Sequence, residues 1–302
     1  MNQLALKKYV EDNPSVVTMR ESLSHPGLFV LKYKKKVFYD NLWDEYLEEC
    51  RGTIVDSDFN IVTYPFTKIY NFRIEDSAPI LADDVKVTAY RKVNGFMCAA
   101  TWYNGDVLIS TTGSTDSPFV AYAKEMIGDN IGRYRSVCES APNVTLMFEV
   151  CHPADPHIVN ELPGMYLLGA RKNQFGSKID ADSTDLTFCA ELLNAYAITP
   201  IMTTVGELVA MSKTCTSEGY VFYTQDGTSA KIKSPHYLFN KFIARKSSEK
   251  LINILEKNLY KQTVEEEFYP ICEYLKENIK LFAALDEQSR LAVIRQYIFD
   301  RN

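Results

Sequence analysis

"YRKVNGFMCAATWYNG", residues 90–105, places Lys92 three residues before Gly95, between two runs that read as β-strands. "VKVTAY" before it and "FMCAATW" after it are rich in strand-forming residues, and Asn104-Gly105 marks a tight hairpin. The lysine is either a solvated strand-end or hairpin residue, or a nucleophile held at the mouth of a pocket. As a four-residue pattern, KxNG decides nothing alone. A nucleophilic amine has to lose its proton, so it needs burial or neighbouring cations that disfavour the ammonium form. Other basic side chains are therefore expected near Lys92 in space.

Outward from this stretch, residues 28–240 read mostly as short β segments with turn punctuation: "GLFVLKYKKKVFYD", "RGTIVDSDFNIVTYPF", "VTLMFEV", "GMYLLGARKN" and "EGYVFYTQDGTSAKIKS". Helical spacing appears in "SPFVAYAKEMIGDNIGRYRSVCES" and in "DLTFCAELLNAYAI". The interleaving predicts an α+β domain of antiparallel sheets flanked by helices. After about residue 245 the pattern changes. Leu251, Leu255 and Leu259 recur at helical spacing behind the candidate caps Ser247 and Ser248, Pro270 interrupts, and "LDEQSRLAVIRQYIFD" is amphipathic. A domain over 1–243 and a small all-α C-terminal module over 244–302 are expected, packed closely because no Gly/Ser linker separates them.

The 302 residues are 46% hydrophobic and 24% charged, as in a soluble globular protein, and no apolar run approaches the roughly 20 residues of a membrane span. The amino terminus lacks the pattern of a secretory signal, so a cytoplasmic protein is expected. Seven scattered cysteines with no CxxC suggest buried thiols rather than a zinc site or disulfides, and the four histidines share no ligand spacing. A net charge of −6 argues against wholesale coating of nucleic acid. Local basic stretches remain, "KYKKK" at 32–36 and "KIKSPHYLFNKFIARKSSEK" at 231–250, where six Lys/Arg face the single Glu249. Lys231 and Lys233 alternate by two, so both side chains share one face of a strand. Glu149 stands in an otherwise apolar strand, where an unpaired carboxylate is costly.

Five further stretches accompany KxNG in order: "ECRGTIVD" (49–56) before it, then "STTGS" (110–114), "LMFEV" (146–150), "LLGARKN" (167–173) and "EGYVFYTQDGTSAKIKS" (218–234). The series resembles the bacteriophage RNA ligase 1 family, in the covalent nucleotidyltransferase superfamily, over roughly residues 30–240. That resemblance implies an ATP-grasp-like ligase domain and an ATP-dependent RNA ligase. Lys92 would attack the α-phosphorus of ATP to give a lysyl–AMP intermediate; AMP would pass to an RNA 5′-phosphate, and a 3′-hydroxyl would displace it. Lys231 and Lys233 would contact the α-phosphate and the leaving pyrophosphate. Glu218 would be a metal-site carboxylate, and Glu149 would contact the ribose or a metal-bound water, with Mg²⁺ or Mn²⁺ as the ion. Gly95 would belong to the nucleotide pocket. Arg51 and Lys68 match upstream basic positions that read the nucleotide end, Tyr33 an aromatic beside it, and Arg171 a residue near adenosine.

One departure stands out. Where the family has a lysine before the glycine of "STTGS", this chain has Thr112, so another basic residue has to supply the phosphate contact or the contact is weaker. The implied partners are RNA with 5′-phosphate and 3′-hydroxyl ends, cleaved tRNA among them, with no membrane; a monomer in the cytoplasm, a host's if the chain is viral, is expected. The alternatives are a DNA ligase, a capping enzyme or other polynucleotide nucleotidyltransferase, and a catalytically idle RNA-end binder. The first two usually continue into an OB-fold, whereas the residues after Lys233 read as helices. An idle binder has no need of the Lys92, Glu149, Glu218, Lys231 and Lys233 set.

Overall fold

The two strands on either side of Lys92 take their neighbours in different sheets. Lys86–Arg91 lies between Ile201–Thr204 and Gly219–Thr224, while Phe96–Tyr103 lies between Val144–Cys151 and Asp106–Thr111. The computed structural model describes residues 3–74, 78–180, 184–245 and 247–301. Its chain divides into two compact units. One takes the chain up to Lys68 together with Val93–Thr199; the other takes Ile69–Lys92 and the chain from Pro200 onward. KxNG is thus where the chain leaves one sheet and enters another, and the hairpin reading of Lys92 falls.

The first unit holds two sheets. Val17–Glu21, Phe29–Tyr33, Arg51–Val55 and Ile61–Thr63 form an antiparallel four-stranded sheet, against which helix Gln3–Asp12 buries Leu6 and Val10. The second sheet has the order Ile179–Asp180, Gly164–Lys172, Val144–Cys151, Phe96–Tyr103, Asp106–Thr111, and Tyr196–Ala197 joins Gly164–Lys172 in parallel. Cys98 and Ala100, Phe148 and Val150, and Met165 and Leu167 alternate by two and so share a face. Helices Pro118–Ile127, Ile131–Ser140 and Thr184–Leu193 cover that face with Ile127, Tyr134 and Leu193. Each Phe, Leu or Met so buried contributes roughly 1.5–3 kcal/mol. At the hairpin signal, Asn104 (φ 50°) and Gly105 (φ 81°) make the two-residue turn expected of Asn-Gly.

The second unit is built on a five-stranded sheet of order Ile201–Thr204, Lys86–Arg91, Gly219–Thr224, Ser229–Lys233, Tyr70–Asn71, antiparallel except for the last pair. Helix Val205–Thr214 begins with a capping box, Thr204 accepting from Glu207 N while Glu207 accepts from Thr204 N, and packs Val205 and Leu208 on Val87, Ala89 and Phe222. From Pro235 the chain is helical: Pro235–Arg245, Ser248–Glu256, Tyr260–Thr263, Tyr269–Glu277, Ile279–Ala284 and Glu287–Arg301. Ser247 caps Ser248–Glu256 by accepting from Lys250 N, and Pro270 falls in the first turn of its helix, where a missing N–H costs nothing. Among the described residues no helix is long and apolar enough to cross a membrane.

Two segments differ from their sequence pattern. "KKKVFY", expected to extend a strand, is helical over Lys35–Tyr39. The ladder partners of the strand before it end at Lys32 and Tyr33, lysine is a good helix former, and one helical turn buries Val37. The end of "DLTFCAELLNAYAI" leaves the helix and pairs Tyr196–Ala197 with the sheet, so the antiparallel expectation is also broken there.

Candidate active site

In the second unit, Lys92 sits at the end of a strand that pairs with Gly219–Thr224, and its own N–H donates to Gly219 O at 2.8 Å. Its Nζ lies 3.0 Å from Glu218 Oε2; the lysine side chain is 23% exposed and the carboxylate 4%. Lys233 approaches the other oxygen of Glu218 at 3.9 Å. The register makes this inevitable, because Gly219 stands opposite Lys233 and Val221 opposite Lys231. Gly219 (φ +135°) leaves no room for a side chain, since a Cβ there would fall 2.0 Å from Ile232 O. Burial alone would raise the Glu218 carboxyl, but Lys92, Lys233 and the more distant Lys241 outweigh it and hold its pKa below the ordinary range. Lys231 occupies the same strand face two residues earlier, its backbone beside Asn71.

Lys233 has a second and closer partner, Glu267 Oε1 at 2.7 Å, which also accepts from Lys241 Nζ at 2.8 Å; Lys241 in turn pairs with Glu265. The Tyr237 ring lies 5.6 Å from Lys233 Nζ and 5.5 Å from Lys241 Nζ, and burial, with Glu218 nearby, pushes its phenol up to about 12. Neither Tyr237 nor Glu267 was legible as part of the site, although Tyr237 lies in "SPHYLF" directly after the lysines. Within the basic stretch 231–250, Lys241 is buried and taken up by the glutamates, and Lys250 is exposed; Lys246 lies outside the described residues.

In the first unit, Gly95 N donates to Glu149 Oε1 at 2.9 Å, so the buried carboxylate has a partner at the end of the KxNG segment. A Cβ on Gly95 would fall 2.2 Å from Val150 O, which reserves the position for glycine. Asn94 fixes the same turn: it is buried, its Oδ1 accepts from Val159 N at 3.0 Å, and its N–H donates to Glu161.

Tyr33 and Arg51 come together on neighbouring strands, the guanidinium 5.7 Å from the ring centroid, and Tyr33 meets Trp43 edge-on. Lys68 Nζ lies 4.5 Å from the centroid of Trp43 and 5.6 Å from that of Phe38. Arg171 is spent differently. It pairs with both oxygens of Glu49 at 2.9 and 3.1 Å, donates to Pro65 O and Ser177 O, and lies 3.5 Å over the Tyr64 ring, its side chain 3% exposed. At least four of its five N–H donors therefore go to protein acceptors. Phe72 is core, edge-on to Phe222. Beside "STTGS" the missing lysine has a substitute in space: a Cβ built on Gly113 would fall 2.8 Å from Lys32 Nζ, so the first lysine of "KYKKK" lies over that glycine.

Glu218 and Glu149 offer hard oxygen donors, the kind of which Mg²⁺ or Mn²⁺ takes one or two alongside substrate phosphates. Among the described residues no group of three or more His, Cys, Asp and Glu forms a cage. Each carboxylate, taken by itself, is of the kind that suits an ion arriving with a nucleotide.

A family model described as RNA ligase matches residues 49–242, which takes in KxNG, Glu149, Glu218 and both strand lysines. No curated protein matches the sequence. Among solved structures, the fold is similar to a chain from Aquifex aeolicus provisionally assigned as an ATP-dependent DNA ligase (TM-score 0.58, 16% identity, 97% of this chain and 77% of that one). It is also similar to an archaeal ATP-dependent RNA ligase, at TM-score 0.57 and 14% identity over 97% of this chain and 75% of that one. At such identities these likenesses speak for the ligase nucleotidyltransferase fold, and the family match speaks for the chemistry. The chain belongs to the bacteriophage RNA ligase 1 family and is an RNA ligase.

Proposed function

We propose that this RNA ligase is ATP dependent and seals RNA 5′-phosphate to 3′-hydroxyl ends through a Lys92–AMP intermediate and an RNA-adenylate. The observation that carries this reading is the Glu218 carboxylate, flanked by Lys92 at 3.0 Å and Lys233 at 3.9 Å. Lys92 rests as an ammonium on that carboxylate and has to be released from it to act. Once neutral, its Nζ attacks the α-phosphorus: one P–N bond forms, one P–O bond breaks, pyrophosphate leaves and the amine sheds a second proton. Lys231 and Lys233 offset the dispersed negative charge of the phosphates in that transition state. Arg51, Lys68 and Tyr33 bind and orient the nucleotide, Gly95 gives its backbone close approach to the nucleotide, and Arg171 steadies the pocket through Glu49. Glu218 in the second unit and, separately, Glu149 in the first are the carboxylates proposed as candidates to hold a divalent ion, Mg²⁺ or Mn²⁺, which with the phosphates would supply further charge neutralisation.

The helical C-terminal run, residues 244–302, is proposed to cradle the RNA, with broken tRNA as the repair substrate, and the enzyme to work as a monomer in the cytoplasm. The test is incubation with α-labelled ATP and Mg²⁺ or Mn²⁺ followed by denaturation. Wild type should retain label, and Lys92→Ala should retain none yet still seal RNA that already carries a 5′-adenylate. A labelled Lys92→Ala protein would remove the nucleophile assignment. A panel of 5′-phosphorylated RNA and DNA strands then sets the preference between RNA and DNA ends.

A further inference from the structure

Six side chains of the second unit form one line of alternating charge: Lys92, Glu218, Lys233, Glu267, Lys241, Glu265. Its far end comes from "EEE", residues 265–267, at the start of a short 3₁₀ turn in the helical run. Each of the three glutamates reaches back: Glu265 to Lys241, Glu266 to Asn71 Nδ2 at 3.3 Å, and Glu267 to Lys233 and Lys241. Asn71 is the backbone neighbour of Lys231, so the turn closes over the strand that carries both lysines. Phe268 anchors it, buried and 4.9 Å from the Phe242 ring.

We propose that Glu267 is a positioning residue for adenylation, fixing the Lys233 ammonium for the phosphates, with Lys241 as the counter-charge that makes this workable. The proposal rests on the ATP-dependent reading above. A lysine ammonium on its flexible stem has rotamer entropy to lose before it can act at a fixed point. Glu267 fixes that point beforehand at 2.7 Å, from a side chain that is itself 7% exposed. A single carboxylate tied only to Lys233 would cancel the charge that the reaction needs. Here each carboxylate near Lys233 is shared, Glu267 with Lys241 and Glu218 with Lys92, so Lys233 keeps positive charge to offer. Its ammonium has three donors; Glu267 takes one, and Glu218 at 3.9 Å is beyond hydrogen-bond range, which leaves donor capacity for a phosphate oxygen.

The experiment is a double-mutant cycle on the single-turnover rate of label transfer from α-labelled ATP to the full-length protein, with wild type, Glu267→Gln, Lys233→Ala and the double variant. Glu267→Gln should slow transfer roughly ten- to hundredfold, the scale of a mispositioned group. In the Lys233→Ala background the same change should cost almost nothing further, because the group it positions is gone. A wild-type rate for Glu267→Gln, or full additivity in the double variant, overturns the proposal. If Glu267→Gln alone does not fold, Lys241→Met with Glu267→Gln removes one buried charge of each sign and carries the same cycle. Failure of wild type to take up any label would instead overturn the ATP-dependent reading.

Discussion

Lys92 Nζ lies 3.0 Å from the Glu218 carboxylate, whose pKa the neighbouring lysines hold below its ordinary range, and that ion pair shapes the chemistry proposed for Lys92. Lys233 approaches the other oxygen of the same carboxylate at 3.9 Å, so on the proposed mechanism the charge that would meet phosphate also draws Glu218 away from Lys92. The buried Glu267 obeys the same balance: burial would raise its pKa, but Lys233 and Lys241 hold it well below the ordinary glutamate value of 4.5. A carboxyl depressed on folding adds stability that is present above its unfolded pKa and is lost as pH falls through the folded one. The unfolding free energy of the wild type should therefore decline as pH is lowered from 4.5, the unfolded chain taking up the proton first. Glu267→Gln should be less stable at neutral pH and decline less steeply on the acid side; urea titrations across the acid range measure both.

At the scale of elements, the hairpin formed by Gly219–Thr224 and Ser229–Lys233 sets the site, because its register fixes the distance from Glu218 to Lys233. Asp226 holds the turn by accepting from Thr228 N at 3.0 Å and from Thr224 Oγ1, which pushes its carboxyl down to about 2. Gly219 is the tight point. Gly219→Ala would drive a methyl into Ile232 O and force the two strands apart, with a strained φ besides. It should cost roughly 1–3 kcal/mol in denaturant unfolding, the usual scale of overpacking, and should reduce label transfer more than stability alone explains. Transfer at the wild-type rate would show that the register tolerates the shift.

Across the whole molecule, an acidic chain has to bind an acidic polymer, so the basic surface counts locally rather than in sum. Lys241 is withdrawn from that surface by Glu265 and Glu267, whereas Lys250 and Lys257 are exposed at the two ends of helix Ser248–Glu256. Replacing both with glutamate should weaken binding of 5′-phosphorylated RNA and flatten its dependence on salt, by about 0.7 in the log–log slope for each single-strand phosphate that is no longer neutralised. Fluorescence anisotropy over a salt series gives the slope directly. An unchanged slope would place the RNA on another face.

The sequence by itself determined the alternation of strands and helices, the Asn-Gly turn at 104–105 and the order of the motifs. Periods of 2 and 3.6 residues and the turn residues are local properties, and local properties are written along the chain. Only the tertiary structure decided that Lys92 ends a strand of one sheet rather than sitting in a hairpin, that Lys32 lies over Gly113, and that Arg171 is spent on Glu49. It alone decided that Glu267, in an unremarked run of glutamates, holds Lys233. Those partners are 126 residues apart for Lys92 and Glu218, 122 for Arg171 and Glu49, and 34 for Lys233 and Glu267. Which opposite charge a side chain meets is set by the packing of separate elements, and no periodicity along the chain encodes it.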